Sequence, residues 1–328
     1  MDLHDLQEPP ETHPAFIESL ERMEERRKKG TITDGEYYAY NAFYQALMKD
    51  FTATRAALSK MPDNATPDEW VAANMALARM HAYEKNLPEA VEAYKLALAT
   101  SPDHDFVLEE ICYCLFELKR YEETLPYLEL MFQEDIAQWD STWELHGKVL
   151  SELGRHEEAM VSFKEGLKVC NEPTMIPYFE YYIGLTYMKL SDNYMALSHF
   201  YRALEGKPDF FEALNNVGAI YVDSEDELHN IPLAIEYYKK AQEVAEEKDD
   251  SSLKILVYLN LSRLYYSLKE FQMHELYKGK MMTEIGFGSM FGDVDDEEDE
   301  YNEEDGDDED DDSPGEEDNP EDGGTAEK

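Results

Sequence analysis

A spacing of small and aromatic residues recurs along this chain with a period near 34 positions. A small residue is usually followed by another one twelve positions later, and an aromatic or leucine residue usually stands four positions beyond that. The first position holds Ala78, Cys112, Gly147, Gly184, Gly218 and Ser262, the second Ala90, Thr124, Ala159, Ala196, Ala234 and His274, and the third Tyr94, Leu128, Phe163, Phe200 and Tyr238. A fixed period of this length indicates one supersecondary unit used repeatedly, each copy burying its apolar face on its neighbours.

The repeated unit consists of two helices. In the clearest copy, helical spacing of small and apolar residues runs over 74–81, breaks at 86–88 and resumes over 90–98. This pattern resembles the tetratricopeptide repeat family. The residues that carry the resemblance best are Trp143, Gly147, Ala159 and Phe163 in one copy, and Ile183, Gly184, Tyr187, Ala196, Phe200, Ala203 and Pro208 in the next.

The resemblance implies an all-α fold, a right-handed α-solenoid of antiparallel helix pairs that covers residues 36–285. The expected repeats are 36–68 (degenerate), 71–104, 105–138, 140–173, 177–210, 211–248 and 255–288 (atypical). The fifth full copy carries extra residues around 223–230, which predict a longer loop between its helices. The last copy places His274 and Lys278 where alanine and an aromatic residue are usual, so its second helix is expected out of register or as a cap.

Residues 1–35 form an N-terminal segment with one predicted helix. Pro14 opens a run in which Phe16, Ile17, Leu20 and Met23 keep helical spacing, and Gly30 ends it. An amphipathic helix of this kind either caps the first repeat, which is the simpler interpretation, or binds a partner.

Residues 286–328 form a glycine-rich junction followed by an acidic tail. From 293 to 328 there are 22 acidic residues and one lysine, which leaves 52 acidic and 28 basic residues in the preceding part of the chain. The tail cannot collect enough apolar surface to offset the entropy of ordering, so it is predicted to be disordered. It serves solubility or general repulsion, attracts a basic protein, or acts within the molecule.

Charge and composition exclude several classes of function. The net charge of −45 argues against nucleic acid and anionic lipid as partners, because both are bound mainly through lysine and arginine. No run of eighteen apolar residues and no export signal is found, and the three cysteines suit a reducing compartment, so a cytoplasmic protein without a membrane span is expected. No catalytic, cofactor or metal motif is found, and we expect a protein that is not an enzyme. His146 lies at a position that faces the core, where a packed histidine is commoner than a ligand.

The candidate site is the groove lined by the first helix of each repeat. In the family that this chain resembles, the second, fifth, ninth and twelfth positions of that helix face the groove. The candidate peptide-binding residues are Phe106, Glu109, Tyr113, Phe116, Glu144, Lys148, Tyr178, Tyr181, Leu185, Asn215 and Arg263. We expect the aromatic residues among them to face solvent and contact the partner.

The chain does not reproduce the carboxylate clamp of some chaperone-binding members, because two cations never occupy successive ninth positions. Only Asn215 with Arg263 offers a partial anion pocket. The leading hypothesis is a scaffold of the co-chaperone or assembly-factor type that holds a protein or peptide segment, and a basic segment is one candidate. The alternative is a chaperone of basic proteins that acts through the acidic tail.

Overall fold

The computed structural model describes residues 14–133, 140–224 and 227–286, with side chains from residue 17 onward. These ranges contain fifteen helices and no strand. The helices are α1 (Pro14–Lys28), α2 (Asp34–Leu47), α3 (Phe51–Leu58), α4 (Pro67–Tyr83), α5 (Leu87–Leu98), α6 (Asp105–Glu117), α7 (Tyr121–Gln133), α8 (Asp140–Glu152), α9 (His156–Val169), α10 (Ile176–Lys189), α11 (Asn193–Gly206), α12 (Phe211–Asp223), α13 (Ile231–Glu247), α14 (Ser251–Ser267) and α15 (Phe271–Glu284).

From α2 onward the helices form seven successive pairs. Each pair packs together and then against the pair that follows in the chain, as expected for stacked helical repeats. We number the repeats one to six from α4–α5 to α14–α15, and treat α2–α3 as the degenerate pair before them. The first helix of the sixth repeat begins at Ser251, four residues before the expected start of that copy at 255.

The small and aromatic positions meet inside each repeat. A Cβ atom added to Gly184 would lie 2.7 Å from Cε1 of Phe200, and one added to Gly218 would lie 2.8 Å from Cδ1 of Tyr238. Carbon atoms do not approach this closely, so a side chain at either glycine would force the ring out of its place. The spacing found in the sequence therefore records a direct contact between the two helices of a repeat.

The turn between the two helices of a repeat is nearly always the same. It contains one residue in the left-handed region, with φ between 57° and 74°: Lys85, Lys119, Gly154, Ser191 and Lys269. The fifth repeat differs, as its sequence predicts. Its helices are joined by residues 224–230, and the Asn230 amide donates a hydrogen bond of 3.0 Å to the Tyr221 carbonyl oxygen.

The sixth repeat keeps its helix pair but changes the contacts. His274 takes the place of the second small residue, and its Nδ1 atom lies 2.9 Å from the Ser262 hydroxyl oxygen. The aromatic position is filled one residue earlier than expected, because Tyr277 is buried and stacks on Tyr265 at a ring distance of 5.6 Å. The Lys278 side chain remains partly exposed and pairs with Glu275. The one-residue offset matches the expectation that this helix would leave the register.

Helix α1 packs on α2 through its last turn. The Arg27 guanidinium lies 4.8 Å from the Tyr37 ring centre and 4.7 Å from that of Tyr38, and its Nε donates to Asp34 at 2.8 Å. Ile17, nearer the start of the helix, is 39% exposed. These contacts place the end of α1 against α2, and a capping role for α1 stays a prediction.

The predicted glycine-rich junction beyond Gly286 and the predicted disordered tail lie outside the described residues. Among the described helices, none combines the length and apolar character needed to cross a bilayer. All three cysteines are free thiols, and Cys112 and Cys114 are buried in the core. Burial raises the pKa of the Cys114 thiol to about 12, so this thiol stays protonated.

Candidate functional site

A pocket of about 630 Å³ opens where the third and fourth repeats meet. Helices α8 and α10 form part of its wall, and the connections that follow α9 and α11 complete it. It contains three of the predicted site residues, Glu144, Lys148 and Tyr178. The other residues that line it are Glu172, Thr174, Met175, Pro177, Tyr182, Gly206, Lys207 and Asp209. Its size suits a side chain or a short peptide segment.

Two lysines in this pocket each lie over a tyrosine ring. The Lys148 Nζ atom is 4.7 Å from the centre of the Tyr182 ring. The Lys207 Nζ atom is 4.8 Å from the centre of the Tyr178 ring and donates a hydrogen bond of 2.7 Å to the Tyr178 hydroxyl. A cation over an aromatic face is attracted by the ring quadrupole, so each tyrosine ring stabilises the ammonium group beside it.

The two lysines differ in their charge partners. Lys148 forms an ion pair with Glu144 one helical turn earlier. Lys207 forms no ion pair with a carboxylate of the described residues, although the folded part of the chain has an excess of acidic residues. Asp209, two residues later, pairs with Lys248 at 3.5 Å. Lys207 is therefore the charge in this pocket that is open to a carboxylate from outside.

Glu109 and Tyr113 lie together beside α8, in a crevice of about 10 Å³ that also contacts Ser141. This volume is at the lower limit for one water molecule, so the crevice accepts no partner side chain in this conformation. Burial raises the pKa of the Glu109 carboxyl. The second repeat thus contributes a nearly closed surface beside the open pocket.

Tyr181 and Leu185 pack into the structure, contrary to the expectation that Tyr181 faces solvent. The Tyr181 ring centre lies 4.8 Å from that of Phe210 and 5.7 Å from that of Phe200, and its hydroxyl accepts a hydrogen bond from Asn216 at 3.3 Å. Burial raises its pKa to about 12. Leu185 is half-buried against the same core. Tyr181 turns inward because the first residues of the next repeat offer it an aromatic surface.

Two predicted phenylalanines also contact neighbouring rings. The Phe106 ring centre lies 6.3 Å from that of Phe43 and 5.2 Å from the Arg79 guanidinium carbon. Arg79 itself is buried and donates to Glu110 at 3.1 Å, so this cation is already occupied. Phe116 lies 5.5 Å from the Tyr121 ring, at the turn of the second repeat. Both are half-buried, and neither lines the open pocket.

Asn215 and Arg263 are brought to the same side of the last repeats. The Asn215 side-chain oxygen accepts a hydrogen bond of 2.7 Å from Asn260, which lies one turn before Arg263 on α14. Arg263 is exposed. The amide of Asn215 is thus partly occupied, and the two residues do not form a closed anion site.

Sequence reasoning missed Tyr182 and Lys207 as members of the pocket. Tyr182 follows Tyr181 directly, at a helix position that the family pattern does not assign to the groove. Lys207 lies in the connection between repeats, next to the closing Pro208. Lys207 lies between Tyr178 and Phe210 in space. The signal in the sequence is the fixed length of the connection between the repeats, which brings Lys207 to these two rings.

Comparison with known proteins agrees with this architecture. The family model "Tetratricopeptide repeat" matches residues 140–173, which is the third repeat. A search of curated protein sequences found no significant match.

Solved structures resemble this chain at low identity. PilW, described as a widely conserved type IV pilus biogenesis factor, is 16% identical, with 66% of this chain and 94% of that chain covered at a TM-score of 0.55. MamA is 19% identical, with 56% and 95% covered at a TM-score of 0.48. The chain is an α-helical repeat protein. Its third repeat matches the tetratricopeptide repeat model, and the other repeats share the same arrangement of paired helices.

Proposed function

We propose that this chain is a protein-binding scaffold, of the co-chaperone or assembly-factor type, that holds a partner segment in the groove of its first helices. The pocket of about 630 Å³ between the third and fourth repeats is the observation that carries this proposal. It combines aromatic surface with charged side chains in fixed positions, as peptide sites usually do. We take residues 36–285 as the single solenoid domain that forms this groove.

The proposed partner is an extended or helical segment with apolar anchors and charges of both signs. Tyr178 and Tyr182 line the pocket and offer the apolar edges of their rings to a partner side chain. Glu172 at the pocket favours lysine or arginine of the partner, and Lys207 can pair with a carboxylate of the partner. The excess of acidic residues in the folded part of the chain also favours a segment that is basic overall.

The proposal is tested first by site-specific crosslinking in the full chain. A photoreactive phenylalanine analogue replaces Tyr178 in the pocket, and in a second sample replaces Tyr194, which is 54% exposed on the second helix α11. We expect one partner to be captured from position 178 and not from position 194. Equal capture at both positions would place binding outside the groove.

Binding of the captured partner is then measured with a matched pair of double variants. Tyr178→Ala with Lys207→Ala should weaken binding more than tenfold, because anchor residues commonly contribute about 2 kcal/mol each. Tyr194→Ala with Lys239→Ala removes the same two residue types from exposed positions on second helices and should change nothing. If the groove variant binds the partner with unchanged affinity, this pocket is not the binding site.

The alternative function is that of a chaperone of basic proteins acting through the acidic tail. The observation that favours it is the count of 22 acidic residues within 293–328. Binding through such a tail collapses as ionic strength rises, whereas binding through a groove with apolar anchors changes much less. The partner's affinity for the full chain and for a chain ending at residue 292, each measured at low and high salt, separates the two functions.

A further inference from the structure

A second pocket lies on the side of the molecule formed by the second helices. It has a volume of about 390 Å³ and opens between α7 and α9, with α8 beneath it. Its walls include three aromatic rings, Phe132, Trp143 and His146. The ring centres of Phe132 and Trp143 are 4.2 Å apart, and those of Phe132 and His146 are 5.0 Å apart. None of these residues belongs to the groove described above.

At two positions of this pocket the third repeat differs from most of the other repeats. Ser162 stands directly before the repeat's aromatic residue, where three other repeats have the larger rings Tyr127, His199 and Tyr237. His146 stands directly before the first small residue, where the other repeats hold the aliphatic residues Leu77, Ile111, Ile183, Val217 and Leu261. A small hydroxyl thus replaces a ring, and a polar ring replaces an aliphatic side chain, at the same place in space.

The hydrogen bonds of these two residues fix the tautomer of His146. The Ser162 hydroxyl donates its one proton to the Glu158 carbonyl oxygen at 3.1 Å. In its 2.9 Å contact with Nδ1 of His146 it must therefore accept, so the imidazole proton is on Nδ1. Burial, followed by the positive charge of Arg155, lowers the pKa of His146 to about 4. The ring is neutral at pH 7, and its Nε2 atom is a hydrogen-bond acceptor without a described partner.

The charge around the pocket is negative. The Arg155 guanidinium at the rim makes two hydrogen bonds, of 2.7 and 2.6 Å, to the carboxylate of Glu158, so these two charges offset each other. The remaining charged residue of the lining is Glu129, which forms no ion pair with the described residues. The site therefore presents ring faces, a neutral acceptor nitrogen and an unpaired carboxylate.

We propose that this pocket binds an arginine side chain of a partner protein. A guanidinium is planar, so it stacks on the rings of Phe132 and Trp143, and its several N–H donors reach His146 Nε2 and Glu129 together. A lysine ammonium lacks the plane that stacks on the rings, and a tryptophan carries no positive charge to pair with the Glu129 carboxylate. The excess negative charge of the folded part also favours a cationic group. The site goes beyond the proposed groove, because it lies among the second helices.

The test uses N-acetyl-arginine amide as the probe and the full chain as the protein. Trp70→Phe and Trp139→Phe leave Trp143 as the single tryptophan, so its fluorescence reports on this pocket and not on the acidic tail. We expect saturable binding of the arginine amide. The citrulline amide, which has nearly the same shape but no charge, should bind at least tenfold more weakly.

Two variants close the site with residues that other repeats already hold. Ser162→Tyr fills the pocket as Tyr127 and Tyr237 do, and His146→Ile restores the aliphatic residue found at Ile111 and Ile183. Both should keep the helical circular dichroism and weaken arginine binding at least tenfold. Glu129→Gln should weaken it about threefold to tenfold. Its matched control is Glu122→Gln, which changes the net charge by the same amount at an exposed position of the same helix. This control should have no effect on arginine binding.

Each of the following results overturns the proposal. The citrulline amide binds as tightly as the arginine amide, N-acetyl-tryptophan amide binds more tightly than either, or the folded Ser162→Tyr protein retains the affinity of the parent. Absence of a saturable response of Trp143 to the arginine amide also overturns it. Tyr178→Ala, which alters the groove alone, is expected to leave arginine binding unchanged.

Discussion

The fourth repeat and the sixth repeat use the same helix pair but hold it together in different ways. In the fourth, Gly184 gives Phe200 the space to lie directly on the first helix, and α11 buries five residues, which are Ala196, Leu197, His199, Phe200 and Ala203. In the sixth, Ser262 and His274 meet through hydrogen bonds, and Tyr277 is the one residue of α15 that is buried.

The difference follows from position in the stack. An internal repeat is covered on both sides, so tight packing of ring against glycine removes the most apolar surface from water. A terminal repeat has a neighbour on one side only among the described residues. Polar contacts between its helices therefore cost little stability. We infer that the central repeats set the stability of the solenoid and that α15 is its weakest helix.

The largest effect is expected from Gly184→Leu in the fourth repeat. A Cβ atom alone would approach Phe200 to 2.7 Å, so the leucine side chain must displace the ring or separate α10 from α11. We expect a loss of about 3 kcal/mol, at the upper end of overpacking costs. It is measured as a lower midpoint of thermal unfolding by circular dichroism.

The matched control for this substitution is Glu205→Leu, which adds the same side chain at an exposed position of α11. It should leave the midpoint nearly unchanged. If both leucine variants melt at the same temperature as the parent, the contact between glycine and ring does not stabilise the central repeats.

The next effect concerns pH and His146 in the third repeat. Its pKa of about 4 lies below the ordinary value, so the unfolded chain binds more protons than the folded chain between pH 6.5 and about 4. Stability should therefore fall as the solution is acidified through this window, by about 2 kcal/mol from this residue.

Denaturant unfolding of the parent and of His146→Ile, at about pH 7 and about pH 4.5, isolates this contribution. Carboxylates titrate in both proteins and cancel in the difference. The variant should lose about 2 kcal/mol less on acidification. Equal losses in the two proteins would mean that His146 titrates normally.

A smaller effect is expected from His274→Ala in the sixth repeat. This change removes the contacts of His274 with the Ser262 hydroxyl at 2.9 Å and the Ser262 carbonyl at 3.0 Å. We expect a cost of about 1 kcal/mol, the usual size of a net hydrogen bond. Hydrogen exchange should show it as faster exchange in α15 with unchanged protection in α11. Equally faster exchange in both helices would show that the terminal repeat unfolds together with the centre.

The smallest effect is expected from deletion of residues 293–328. The sequence predicts that this acidic tail makes no stable contact with the solenoid. Unfolding of the truncated chain should therefore stay within about 0.5 kcal/mol of the parent. A clear loss of stability would show that the tail docks on the folded part. In that case α15 could no longer be treated as the uncovered end of the stack.

The sequence predicts the repeats well because each contact lies within one unit of fixed spacing. Gly184 and Phe200 meet because these two positions are sixteen apart in a regular repeat. The sixth repeat was harder to predict, since Tyr277 and Lys278 are neighbours and only packing decides which of the two is buried. An aliphatic or aromatic pattern alone does not settle a shift of one residue.

The candidate site was predicted less well than the fold. Tyr178 and Lys148 line the pocket as the helix positions suggest, whereas Tyr181 faces Phe210 of the following repeat. Lys207 reaches Tyr178 from a connection between repeats. Contacts between repeats depend on how the units stack, and a pattern read within one unit does not contain that information.

The connection between α12 and α13 has a consequence for engineering the molecule. Although this connection is longer than in the other repeats, Gly218 still contacts Tyr238. The entropy cost of closing a longer loop is small, about 0.6 kcal/mol for each doubling of loop length. The hydrogen bond from Asn230 to Tyr221 closes the base of the loop. This turn is therefore the natural insertion point for an affinity tag or a reporter domain, at a distance along the chain from both pockets and both termini.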